Sequence, residues 1–201
     1  IGAALILGFK IPINFNKPYF AISPSDFWRR WHISLSSWLR DYLYIPLGGS
    51  KKGSGRTYFN LLTVMFLGGL WHGASWNFVI WGLLHGGYLA IHRVIVNKFP
   101  KIANSVFFRT KAGKIISILV TQYFVFLAWI PFRVHDTEGI IYSMSKYIFF
   151  DFEFGGIIEV LLDYKIPIGF MVGFIILHYI SYRKENLIKI IANLKLKWAI
   201  D

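Results

Sequence analysis

One stretch of the sequence lacks any Asp, Glu, Lys or Arg and is long enough to decide the fold: residues 57–92, TYFNLLTVMFLGGLWHGASWNFVIWGLLHGGYLAIH. A membrane-spanning helix needs about 20 mostly apolar residues, so this stretch is too long for one ordinary helix and slightly short for two. Its centre, Gly68–Trp76, contains three glycines and a serine, which allow a break or a close helix–helix approach. We predict two short membrane helices, about Tyr58–Trp71 and Trp76–His92, hinged around His72.

Three other apolar stretches extend this interpretation. Ile1–Phe9 is typical of the end of a span, and residues 115–132 and 166–182 are uncharged runs. Charged residues make up 16% of the chain, against about 25% in soluble domains. The sequence therefore predicts an all-α, multi-span transmembrane protein. We expect residues 1–201 to be the C-terminal part of one membrane domain whose N-terminal spans precede this sequence.

The net charge of +12 could indicate a nucleic-acid-binding protein, but the positions of the charges favour a membrane topology. Basic residues flank the run 57–92 on both sides, whereas residues 133–165 contain six of the ten acids. Because basic loops stay in the cytoplasm, both ends of the helix pair are predicted to be cytoplasmic and the acidic loop external. No nucleic-acid partner is expected. The absence of cysteine excludes disulfides and thiolate metal sites, and we predict no metal centre.

The segment Ser25–Leu39 predicts a different kind of helix. The sequence Ser23-Pro24-Ser25-Asp26 carries helix-start signals. At 100° per residue, one face of the following helix collects large apolar side chains, namely Trp28, Trp31, Leu35, Trp38 and Leu39, with Arg29, Arg30 and Ser37 mostly off it. This pattern is typical of an amphipathic helix lying at the cytoplasmic membrane interface.

His72 is the most informative of the six histidines. An imidazole can exchange a proton near neutral pH, and a glycine-flanked break gives it access that a packed helix would deny. The alternative is a histidine that hydrogen-bonds a carbonyl across a helix interface. His32 alone favours an interfacial role beside lipid phosphates. Ser75 lies three residues after His72, but no acid is positioned nearby to orient the imidazole of a nucleophilic serine.

Several motifs, in order along the chain, resemble the membrane-bound O-acyltransferase (MBOAT) family, specifically its alginate O-acetyltransferase (AlgI) branch. They are Asn14–Tyr19, Asp26–Ser36, Trp38–Gly49, Gly68–Trp76, Trp81-Gly82, His85-Gly86 and Ala128–Arg133. The resemblance is nearly continuous from about Gly8 to Gly87, and the last 60 residues carry little of it.

The resemblance implies an O-acetyltransferase with His72 as the active-site residue in a cavity within the membrane. It implies that His32 is a second polar site residue, at a position that is Asn in many relatives. The positions expected to contact substrate are Trp71, Arg29, Arg30, Arg40, Asp41, Asn77 and His85.

The resemblance also implies the reaction partners. The donor would be acetyl-CoA or another cytosolic acyl thioester, with no bound cofactor. The acceptor would be an extracellular polysaccharide or a periplasmic acceptor protein, and the enzyme would lie among lipids in the bacterial cytoplasmic membrane. Two alternatives stay open: D-alanyl or acyl transfer to teichoic acid or peptidoglycan, and a non-enzymatic transport or scaffold subunit.

Overall fold

The computed structural model describes Ala4, residues 6–151 and residues 157–183. All regular structure in these ranges is helical, which confirms the predicted all-α class. The chain divides into two compact units, residues 1–151 and 152–201. Of the predicted end of a span at Ile1–Phe9, residues 1–3 and residue 5 lie outside the described residues.

The first unit contains seven α-helices in its described part. They are α1 (Pro24–Arg30), α2 (Ile33–Trp38), α3 (Ser54–His72), α4 (Trp76–Lys98), α5 (Pro100–Ala103), α6 (Lys111–Arg133) and α7 (Thr137–Ile148). Short 3₁₀ segments lie at Pro18–Phe20 and Val106–Arg109, and a π-helical segment at Leu39–Tyr44. In the second unit the structure describes α8 (Ile157–Asp163) and α9 (Lys165–Arg183).

The uncharged run 57–92 forms the helices α3 and α4, with an interruption at residues 73–75. The two helices approach each other closely at two glycines. A Cβ atom on Gly82 would collide with the carbonyl of Met65, and one on Gly69 would collide with the carbonyl of Phe78. Only glycine allows the two backbones to come this near, so these residues set the helix spacing.

The continuous helix predicted over Ser25–Leu39 is wrong. The chain breaks at His32, whose φ of 43° is in the left-handed region, so that α1 and α2 are separate helices. Asn14 satisfies backbone groups freed by the break: its carbonyl accepts from Ile33 N at 2.9 Å, and its Oδ1 accepts from Ser34 N at 3.0 Å. The stabilising partner is therefore remote in sequence, which the local helical pattern does not reveal.

Two described helices, α4 and α6, are long and apolar enough to cross a membrane. The apolar part of α9, Lys165–Ile180, is shorter, and α3 is not among the helices that meet the same criterion. Length and composition say which helices could span a bilayer. The cytoplasmic or external position of each loop stays a prediction.

The core that positions the site lies where α1, α3, α4 and α6 meet. Its buried side chains are Ala21, Phe27, Trp28, Met65, Trp81, Val125 and Ala128. The start of α1 is as predicted, because the Ser23 side chain accepts a hydrogen bond from Asp26 N at 3.1 Å. The Trp28 side of α1 is buried against α4, whereas Trp38 of α2 is half exposed.

Candidate functional site

His72 is the last residue of α3 and is surrounded by aromatic rings from three helices. Its ring centroid lies 4.9 Å from that of Trp71, 4.9 Å from that of Trp81 and 5.0 Å from that of Phe132. All three contacts are edge-on, and the imidazole is only partly buried. The imidazole therefore lies at the end of α3, directly before the break at residues 73–75, and keeps part of its surface exposed.

Trp71 connects His72 to His32. The ring of Trp71 contacts the His32 ring at 6.1 Å and the His72 ring at 4.9 Å, and its side chain is largely exposed. Two breaks far apart in sequence therefore bring two histidines into contact with one tryptophan.

The backbone and packing around His32 hold its ring in this position. Phe15 contacts the imidazole at 6.0 Å, from the same segment in which Asn14 bonds to the start of α2. Atom Nδ1 of His32 is buried and has no hydrogen-bond partner. A buried polar atom without a partner is costly, so a bound substrate that donates or accepts there would be favoured.

His85 lies deeper in the same aromatic cluster. Only 2% of it is exposed, and its ring contacts Phe27 at 6.0 Å, Trp28 at 5.2 Å and Trp81 at 4.9 Å. Because Trp81 also contacts His72, His85 packs behind the tryptophan that borders the His72 ring. The structure thus places His85 next to the site, in a position where its own ring is shielded from solvent.

Asn77 lies in the first turn of α4, directly after the break that follows His72. It is buried, its Nδ2 lies 3.4 Å from Nδ1 of His135, and its Oδ1 has no partner. No function was expected of His135, which follows α6. Its position after the Pro131-Phe132-Arg133 motif is the only sequence signal that could have linked it to this region.

The basic residues expected to contact substrate do not surround the histidines as one group. Arg30 forms an ion pair with Asp26 at 3.0 Å, and Arg29 lies 3.8 Å from the same carboxylate. Arg40 and Asp41 pair with each other, Nε to Oδ1 at 2.7 Å, and both are exposed.

A cavity of about 160 Å³ lies next to Arg40. Its walls are almost entirely apolar, and neither His32 nor His72 lines it. The residues around it are Trp28, Ser36, Leu39, Arg40, Tyr44, Leu61, Val64, Met65 and Leu89. The candidate residues therefore fall into two places: the aromatic site at His32 and His72, and the region of α1, Arg40 and this cavity.

The arrangement at the aromatic site suits proton transfer to or from a hydroxyl or thiol. A positioned histidine contributes typically about 10²–10⁴-fold to such a reaction. The apolar rings around His72 reduce the access of water to its imidazole on the sides where they pack. Phe132 and Asn14, which complete this site, were quoted only as parts of motifs, because their contacts depend on tertiary packing.

The sequence profile of the MBOAT, membrane-bound O-acyltransferase family, matches residues 1–130. The chain is similar to a peptidoglycan O-acetyltransferase of Helicobacter pylori, with 48% identity over 139 residues, 69% of this chain and 25% of that protein. It is similar to a probable alginate O-acetylase AlgI of Azotobacter vinelandii, with 57% identity over 102 residues, 50% of this chain and 20% of that protein.

A teichoic acid D-alanyltransferase of Streptococcus thermophilus is more distant, with 33% identity over 144 residues, 63% of this chain and 34% of that protein. The chain thus spans about a quarter of the length of the O-acetyltransferase relatives that it matches. The matched region of the family contains both His32 and His72.

Proposed function

Because this chain belongs to the membrane-bound O-acyltransferase family, we propose that it forms the catalytic part of a bacterial membrane O-acetyltransferase. The observation that carries the proposal is that His32 and His72, at two helix breaks, both contact the ring of Trp71. The relatives that support acetyl transfer are named for peptidoglycan and alginate O-acetylation.

In the proposed reaction His72 is the general base. It takes the proton from an acceptor hydroxyl as the hydroxyl oxygen attacks the acetyl carbonyl of a thioester. A C–O ester bond forms, the C–S bond breaks, and the proton passes from the imidazolium to the departing thiolate. His32, which also contacts Trp71, orients the acceptor or the carbonyl through its ring nitrogens.

The donor is proposed to be acetyl-CoA or another acyl thioester that enters from the cytoplasm. Exposed cations at the N-terminal side of the α3–α4 pair would raise the local concentration of such an anion. They include Arg29, Arg40, Lys51, Lys52 and Arg56. The acceptor is a hydroxyl of an extracellular polysaccharide, reached directly or through a periplasmic partner, so the acetyl group crosses a multi-pass domain of the cytoplasmic membrane.

A second candidate is D-alanyl transfer toward teichoic acid, which the more distant S. thermophilus relative favours. The same two histidines would act, because both reactions pass an acyl group from a thioester to a hydroxyl. The higher identity to O-acetylating relatives supports the acetyl donor.

The test is transfer of radiolabelled acetyl by the full-length parent, purified in detergent, with variants at His72 and His32. We expect His72→Ala to lower turnover by about 10²–10⁴-fold. We expect His32→Ala to lower turnover as well. His178→Ala, in the second unit, is the matched control and should transfer normally. Near wild-type turnover in His72→Ala, at equal protein level, would overturn the proposal. Transfer of D-alanine but not acetyl would support the second candidate instead.

A further inference from the structure

A second group of polar side chains lies where the start of α1 meets the end of α4. Ser25 Oγ is 3.4 Å from Nδ1 of His92. Arg29 is four residues after Ser25 on the same helix and therefore on the same face. Arg93 follows His92 in α4, so each of the two helices contributes one arginine close in sequence to the Ser25–His92 contact.

The loop before α3 closes the other side of this group. Nη2 of Arg93 donates a hydrogen bond to Ser50 Oγ at 3.3 Å, and Ser50 Oγ lies 2.8 Å from the hydroxyl of Tyr44. Lys51 and Lys52 follow Ser50 in the sequence. Three elements thus contribute donors to one place, which is unlike a basic patch spread along a single helix.

The positive charge of this group is largely uncompensated. Within the part of the chain that the structure describes, Arg93 has no carboxylate within 4.0 Å, and Arg29 has only Asp26 at 3.8 Å. That carboxylate is held more closely by Arg30, at 3.0 Å. Burial, together with the nearby charges of Arg29 and Arg93, lowers the pKa of His92, so its imidazole favours the neutral form and the positive charge of the group comes from the two arginines. Such a charge favours an anion.

The apolar cavity of about 160 Å³ adjoins this cationic group. Tyr44 belongs to both, because it lines the cavity and also binds Ser50. Two other lining residues neighbour the arginines: Trp28 precedes Arg29, and Leu89 is one helical turn before Arg93. A molecule with an anionic end and an apolar part would fit the two features together.

We propose that Arg29, Ser50, His92 and Arg93 bind a phosphate ester whose apolar portion occupies the adjacent cavity. Guanidinium groups bind phosphate oxygens bidentately, which suits two arginines around a histidine and a serine. Two sources share this chemistry: the head group of an anionic phospholipid, and the diphosphate of a CoA-type donor. The second source rests on the proposed function, whereas the first does not.

Direct binding to the full-length parent, purified in neutral detergent, tests the site with two probes. Calorimetry measures CoA binding, and the midpoint of thermal unfolding measures stabilisation by added phosphatidylglycerol. We expect the wild-type protein to bind at least one probe. Arg29→Gln and Arg93→Gln should each weaken that binding about tenfold, as expected for losing a charge-assisted hydrogen bond, and more together. The matched control Arg109→Gln, which removes the same charge elsewhere, should leave binding unchanged.

Arg93→Lys guards against a loss that comes from misfolding, because it keeps the positive charge and should bind more tightly than Arg93→Gln, although less tightly than the wild type since lysine does not bind phosphate bidentately. If the Arg29→Gln and Arg93→Gln variants lose only CoA binding, the site belongs to the donor. If they lose only the stabilisation by phosphatidylglycerol, the site belongs to phospholipid. The proposal is overturned if the double variant binds both probes as the wild type does, or if the wild type binds neither. Since neither probe requires acetyl transfer, this outcome is distinct from a failure of the proposed function.

Discussion

Two helix breaks place the two histidines of the candidate site, and they are stabilised in different ways. The break after His72 is local: Gly73 follows the helix directly, and Gly69 and Gly82 let α3 and α4 pack closely on both sides of it. The break at His32 has no glycine. It depends on a left-handed histidine and on hydrogen bonds from Asn14.

The difference shows two ways in which a chain can aim an imidazole at a site. Near His72, glycines have no side chain, so the backbones of α3 and α4 can approach closely and the chain can leave the helix. At His32 the chain keeps a side chain in a backbone region that L residues rarely adopt, and a remote segment compensates. Changes to the first break should act through helix packing, and changes to the second through backbone conformation.

The largest effect is expected at the close approach of α3 and α4. In Gly82→Ala the added Cβ meets the carbonyl of Met65, so the helices must separate, at a cost of roughly 1–3 kcal/mol. The midpoint of thermal unfolding of the full-length parent should fall. Gly87→Ala is the matched control, because a Cβ there has nothing within 4 Å, and it should be neutral or stabilising. Equal behaviour of the two variants would refute the packing role of Gly82.

The next effect is expected at the backbone of His32. His32→Val places a β-branched residue in the left-handed region and should destabilise the protein by roughly 1–2 kcal/mol. His32→Asn should cost less, because asparagine adopts this conformation more readily. Thermal unfolding of both variants measures the difference. If valine is tolerated as well as asparagine, the left-handed backbone does not define this break.

The support from Asn14 gives a smaller change. Asn14→Ala removes the side-chain hydrogen bond to Ser34 N and should cost about 1 kcal/mol. Asn16→Ala is the control, because the hydrogen bonds of Asn16 to Arg30 use its backbone atoms. Acetyl transfer should fall in Asn14→Ala as His32 loses its position. A full-activity Asn14→Ala variant would show that the break stands without this partner.

The smallest difference is expected between two ion pairs, one on each side of the His32 break in the sequence: Asp26–Arg30 and Arg40–Asp41. Asp26 is mostly buried and binds Ile22 N and Arg30, so Asp26→Asn should cost about 1 kcal/mol. The Arg40–Asp41 pair is exposed, and Asp41→Asn should leave the unfolding midpoint unchanged.

The hydrogen bond from Arg40 lowers the pKa of Asp41, so this pair forms at neutral pH and is lost only as the pH falls through that lowered pKa. Below that pKa the Asp41 side chain is protonated and uncharged, like asparagine. The unfolding midpoints of the wild-type protein and Asp41→Asn should therefore also agree after acidification to that range. A clear drop in the midpoint of Asp41→Asn at neutral pH would contradict the assignment of this pair to the solvated surface.

Much of the site could be predicted because its signals are local. The glycines around His72 indicated a break or a close approach, and the structure contains both, at Gly73 and at the Gly69–Gly82 contact. The helix start at Ser23 depends on adjacent residues and was also predicted. The continuous helix over Ser25–Leu39 was wrong because a 3.6-residue pattern carries no information about a hydrogen-bonding partner 18 residues earlier.

By itself the sequence determined an all-helical chain, its membrane character and its family. It also singled out His32 and His72 as candidate site residues. These properties follow from composition, from uncharged runs and from motifs of adjacent residues. Only the tertiary structure decided that His32 and His72 both contact Trp71, that His85 is buried against Trp81, that Ser25 lies beside His92, and that Arg93 binds Ser50. Each of these contacts joins elements whose relative positions depend on how glycines and aromatic rings pack, and no local pattern encodes such distances.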